Sequence, residues 1–159
     1  MGAFWVVGLG NPMRQDDGLG PRVIEQLQRL RPHWPLKVMR GDAAGLLELL
    51  PGLEGLVVID ALISGTAPGT LLVRDCSTQP LPTTLKGAST HALGVAEALE
   101  LARMLDQLPP VVWVFGVEAL WSGHGEGLSP PVEAAIPALL DALTQLLDPY
   151  FGDALDAVR

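Results

Sequence analysis

Three short stretches carry the residue types from which chemistry is made. NPMRQDDGLG, residues 11–20, holds the adjacent aspartates Asp16 and Asp17. VVIDAL, residues 57–62, closes an apolar run on Asp60, and STHALG, residues 89–94, holds His91. Two carboxylates and one imidazole from three segments make an O/O/N set for a divalent ion, with positions left open. Asp17, Asp60 and His91 are the first choices and Asp16 the reserve. The competing reading is simple. Asp and Glu total 18 of 159 residues, and an aspartate just before a helix is also a helix cap. On spacing alone, both readings stand.

The glycines around the first stretch invite a phosphate, and that reading fails. Gly8-x-Gly10 begins a dinucleotide fingerprint, but Met13 occupies the place of its third glycine. No Gly-Lys-Ser/Thr follows to make a phosphate loop, and two carboxylates repel phosphate. Other candidates are weaker. His33 sits between prolines in an exposed loop, and His124 lies in the glycine-rich WSGHGEG. Cys76 has no histidine near it in sequence and reads as a small filler. Glu97 and Glu100 read as a solvated helix face, and Trp5, Trp113 and Trp121 as core or rim aromatics. No Gly-x-Ser-x-Gly elbow is present.

The elements that must position these residues alternate. Nearly continuous apolar runs at Ala3–Val7, at 55–60 and at Val111–Val117 predict strands covered on both faces. A shorter strand is predicted at Leu36–Arg40. Residues 18–30 predict a helix with Val23, Ile24, Leu27 and Leu30 in one stripe and Pro21 in its first turn. A short helix follows near 45–50. Another is expected from Ser89 or Thr90 to about Leu105, after an irregular stretch from Ser77. Ser129 reads as the N-cap of the last helix, with Pro137 kinking it or delaying its start. Gly69–Arg74 is expected to be antiparallel, because no helix intervenes after Asp60. The sum is one α/β domain spanning 1–159: a three-layer α/β/α sandwich with a twisted, mostly parallel sheet of about five strands. In such sheets function gathers beyond the carboxyl ends of the strands, where the first loop, Asp60 and His91 all fall.

Bulk properties exclude whole classes. Ten Lys and Arg against 18 acidic residues give a formal charge of −8, which opposes nucleic acid and anionic lipid. No 18-residue apolar run calls for membrane insertion, despite a mean hydropathy of +0.33. The start lacks a basic region and a cleavage site, so it reads as no signal peptide. One cysteine forms no internal disulfide, and the expected location is cytoplasmic.

The same residues resemble a known family. GLGNPMRQDDGLGPRVIEQL (8–27), VVIDAL (57–62), STHALGVAEALELA (89–102), VFGVEA (114–119) and GLSPPVEAAI (127–136) resemble, in order, the motifs of the hydrogenase maturation proteases. The resemblance implies an endopeptidase that clips a C-terminal extension from the nickel-loaded precursor of a nickel–iron hydrogenase large subunit. It implies no permanently bound cofactor: the nickel comes with the substrate, and other divalent ions are expected to fit the same site. The family's metal-contacting positions fall on Asp17, Asp60 and His91, as nickel ligands with catalytic duty left open. Asp16 is left as a helper or helix cap. Cleavage by a polarised carbonyl or activated water and cleavage by a carboxylate base both remain. RGDAAGLLELL, residues 40–50, departs from the family's Asp-Gly-Gly-Thr-like turn at Gly41–Ala44, which bears on which hydrogenase is processed. Two rivals share features. Peptidyl-tRNA hydrolases also open with a strand and GLGNP, but want a basic face. A non-catalytic metal-binding maturation chaperone would use the same crevice.

Overall fold

Strand alternation sorts the core into two halves. Val57, Ile59 and Ala61 pack with Val6, Phe115 and Val117 on one face, and Leu56 and Val58 with Val7, Leu9, Val112 and Val114 on the other. Both faces are apolar because helices cover both. The computed structural model describes residues 3–40, 43–82, 86–87 and 94–152. Its strands are β1 (Ala3–Leu9), β2 (Leu36–Met39), β3 (Leu53–Ile63), β4 (Leu71–Asp75), β5 (Lys86–Gly87) and β6 (Val111–Glu118). Its helices are α1 (Leu19–Leu30), α2 (Leu46–Leu49), α3 (Val95–Met104) and α4 (Pro130–Phe151).

The sheet order is β2-β1-β3-β6-β4. β1, β2, β3 and β6 run parallel, and β4 lies antiparallel to β6, as its helix-free connection requires. β5 adds a short antiparallel pairing to Leu62 and Ile63 at the end of β3. Residues of α1 and α4 cover the first face, and residues of α2 and α3 the second. This is the expected α/β/α sandwich.

Some boundaries differ from expectation. α3 starts at Val95 after Gly94, and the expected caps Ser89 and Thr90 lie outside the described residues. The irregular stretch after Ser77 contains β5. α4 starts at Pro130 and runs through Pro137 to Phe151. Its start is therefore not delayed: four turns of apolar contact with the sheet outweigh one lost hydrogen bond.

α1 lies close to β1 because two glycines face each other. A Cβ on Gly20 would stand 2.3 Å from the Leu9 carbonyl oxygen, and one on Gly8 2.4 Å from the Gly20 carbonyl oxygen. Backbone cannot yield as a side chain does. Helix propensity alone would make Gly20→Ala stabilising by up to ~1 kcal/mol. The close approach reverses that sign, and Gly20→Ala is expected to lower stability by about 1–3 kcal/mol, read from urea unfolding.

Candidate functional site

The crevice opens where β1 and β3 part. β1 pairs with β3 as far as Gly8 and Ile59, and the next residue of β3 is Asp60. The chain leaving β1 makes a 3-10 turn, Gln15–Gly18, before α1. Gly10 has φ +132°, and a Cβ there would stand 1.9 Å from the Asp17 carbonyl oxygen. Gly10 therefore lets the loop fold back tightly onto itself. Asp17 Oδ2 accepts the Asn11 N–H at 2.9 Å, which closes this fold.

Asp16 is fully buried. Its Oδ2 accepts the N–H groups of Leu120 and Trp121, each at 2.8 Å, and the Ser129 hydroxyl at 2.8 Å. Its Oδ1 accepts the Ser129 N–H at 2.7 Å. The reserve metal ligand is thus a clamp. It ties the first loop to the loop between β6 and α4, and its charge is met by donors on that second loop. Ser129 precedes α4 as expected, but no side-chain hydrogen bond caps the helix. Its hydroxyl serves Asp16 instead.

More bonds zip the two loops. Gln15 N–H donates to the Gly125 carbonyl at 2.8 Å, and Gly125 N–H to the Met13 carbonyl at 2.9 Å. Gly123 N–H donates to the Gln15 side-chain oxygen at 2.9 Å. Gln15 holds φ +55°, a left-handed conformation uncommon outside glycine, and these bonds offset its cost.

Asp17 and Asp60 are both buried. Burial pushes the Asp60 carboxyl well above the usual carboxylate range, and the negative Asp17 beside it pushes further, against a weaker opposing hydrogen bond from Ala61 N–H. The turn carrying Asp17 therefore sets two acids against each other at the carboxyl end of the sheet. His91 lies outside the described residues, as do Gly41 and Asp42 of the atypical loop. Among the described residues, no three of His, Cys, Asp and Glu are gathered as a metal-binding group.

Glu118, at the end of β6, was not foreseen. It accepts the Ser64 N–H at 2.9 Å, the Gly65 N–H at 2.9 Å and the Ser64 hydroxyl at 2.7 Å. Burial opposes its charge, yet these donors, with Thr66, hold its carboxyl below the usual range. A glutamate ending an apolar strand was the available signal. His33 is not simply exposed: it is half-buried, with Nε2 2.9 Å from the Gly152 carbonyl oxygen. His124 is exposed. Cys76 is buried, and burial pushes its thiol up to about 11, as suits a filler.

Comparison with known proteins gives the family. Residues 21–146 match the family model described as hydrogenase maturation protease. The hydrogenase 2 maturation protease of Escherichia coli K12 is 33% identical over 148 residues, which is 89% of this chain and 88% of that protein. A hydrogenase expression/formation protein of Bradyrhizobium diazoefficiens is 33% identical over 151 residues, 89% of this chain and 76% of its own. The solved hydrogenase maturating endopeptidase HybD of E. coli superposes with a TM-score of 0.70 at 25% identity, over 92% of this chain and 93% of that one. A nickel–iron hydrogenase maturation protease from Thermococcus kodakarensis shares the fold at TM-score 0.69 and 23% identity, over 90% and 97%.

Two expectations follow from the buried acids. Asp16→Ala strands buried N–H donors and is expected to cost roughly 2–4 kcal/mol of stability, measured by chemical unfolding. Asp60 has the opposite sign. Its folded pKa lies above the unfolded value of about 3.9, so its contribution is intact below that pH and is lost as pH rises toward the folded pKa. Asp60→Asn removes this loss. The melting temperature of Asp60→Asn should therefore exceed the parent's by a margin that grows from pH 3.5 to pH 7; a margin that shrinks would contradict the assignment.

Proposed function

The chain belongs to the hydrogenase maturation proteases, and we propose that it removes the C-terminal extension of a nickel–iron hydrogenase large-subunit precursor once nickel is in place. The observation that carries this reading is the pair of buried carboxylates, Asp17 and Asp60, held against each other where β1 and β3 part. Two acids pressed together with little water are costly until a cation arrives between them. The cation is the substrate's own nickel, so the protein needs no resident metal or other cofactor.

His91 completes the proposed set. It precedes α3 in the chain, and α3 covers the face to which Leu56 and Val58 point. By strand alternation Asp60 belongs to that same face. Asp17 and Asp60 supply oxygen and His91 nitrogen, a mixed set suited to a borderline transition metal. A precursor with its metal centre filled would then be held with its extension across the crevice. Cleavage needs a water activated beside the peptide. A carboxylate serves as its base, or the bound metal polarises the scissile carbonyl. The partner is thus the nickel-loaded precursor, and neither nucleic acid nor a membrane is part of the reading. Among the described residues no helix is long and apolar enough to cross a membrane. The proposed location is the cytoplasm, where a lone buried thiol such as Cys76 stays reduced.

The purified protein is expected to shorten the nickel-loaded precursor and leave the nickel-free precursor intact, as seen by intact mass. Equal cleavage of both would falsify the nickel-sensing role. Asp17→Asn and His91→Ala should each slow processing by at least about a hundredfold. Normal processing by both variants would remove them from the site.

A further inference from the structure

The loop that Asp16 clamps carries a second property, which the metal pair does not use. Its backbone is fixed at the very edge of the crevice. Ala119 N–H donates to the Leu62 carbonyl at 2.9 Å, just beyond Asp60 on β3. The next two N–H groups, of Leu120 and Trp121, end on the carboxylate of Asp16, the neighbour of Asp17. The loop therefore bridges the chain segments that carry both acids.

Its side chains nevertheless point to water. Leu120 is 50% exposed and Trp121 44%, and Met13, on the segment zipped to this loop, is 53% exposed. Large apolar groups on a mobile loop usually tuck themselves away. Here the backbone is held by a buried charge and cannot turn them inward. Two polar groups beneath the loop are already engaged: the Asp16 carboxylate by its donors, and the Gln15 side-chain oxygen by Gly123 N–H. The surface thus offers apolar contact on a prearranged frame, which costs little ordering entropy on binding. An indole so placed is the usual anchor of a binding site.

We propose that residues 119–127 form the lip that grips the substrate, that Trp121 packs on an apolar side chain of the precursor's C-terminal segment, and that Asp16 is the positioning residue for that lip. The occupant follows from continuity with the acid pair. A peptide bond presented to Asp17 and Asp60 must have flanking residues lying against the crevice edge, and this loop is that edge. Holding those residues converts a chance encounter into a defined approach. The inference rests on the processing role proposed above.

Steady-state processing of the nickel-loaded precursor tests it. Trp121→Ala should raise KM about tenfold, the cost of losing one aromatic anchor, while kcat stays within about twofold and the melting temperature is unchanged. Trp121→Phe should restore most of the loss. Apolar residues of the precursor's C-terminal segment are then changed to Ser one at a time. One of them should raise KM with the parent protein and not further with Trp121→Ala, because coupled partners are not additive. Asp16→Asn should raise KM without adding to Trp121→Ala. If Asp16→Asn melts below the assay temperature, Ser129→Ala, which removes a single donor, is used for the same comparison. An unchanged KM in Trp121→Ala, or full additivity at every precursor position, overturns the lip. Additivity of Asp16→Asn or Ser129→Ala with Trp121→Ala overturns the positioning role. If the parent protein itself leaves the precursor whole, it is the processing role that fails.

Discussion

One buried carboxylate governs the crevice end of this molecule. Asp16 takes hydrogen bonds from Leu120, Trp121 and Ser129, and those donors replace the hydration that burial removes. Everything near the crevice inherits its position from this bond set. The first loop cannot swing outward, Gln15 is held in a left-handed conformation, and the loop before α4 is stretched along the mouth. Asp17, next in the chain, bonds to Asn11 instead and lies beside Asp60. A single adjacent pair of like residues thus divides into an anchor and a proposed metal ligand by bonding to different partners.

Burial alone does not decide what a carboxylate does here. Glu118 and Asp60 lie on neighbouring strands and are both nearly inaccessible, yet their affinities for protons move in opposite directions. Glu118 meets Ser64 and Gly65 donors, and Asp60 meets the negative Asp17. One charge is welcomed and the other is resisted. The fold stores unfavourable electrostatics at a single point and neutralises it elsewhere, the pattern expected where strain serves function.

Much of the scaffold was legible because its signals are local. The apolar runs that became β1, β3 and β6, the stripe of α1, the proline entry to α4 and the antiparallel β4 all follow from short-range spacing and connection length. The ordered motifs likewise pointed to the family. The clamp was not legible. Three of its four donors are backbone N–H groups and the fourth is the hydroxyl of a serine read as a cap, and a backbone donor has no letter in a sequence. The same reason hid Glu118. The start of α3 was misplaced because Ser89 and Thr90 are good cap residues in isolation, whereas Gly94 takes that position. Asp16 and Asp17 could not be told apart without knowing what each faces.

The clamp also has a sequence-distance consequence. Asp16 meets partners 104, 105 and 113 positions further along, so no contact within the first half of the chain can substitute for them. Closing so long a loop is among the costliest steps of assembly. A nascent or truncated chain that already contains both Asp17 and Asp60 lacks the Asp16 clamp until β6 and the segment before α4 arrive. The clamp that shapes the crevice mouth is therefore complete only when both halves of the chain are present, so the geometry of the mouth reports on the folding of the whole chain.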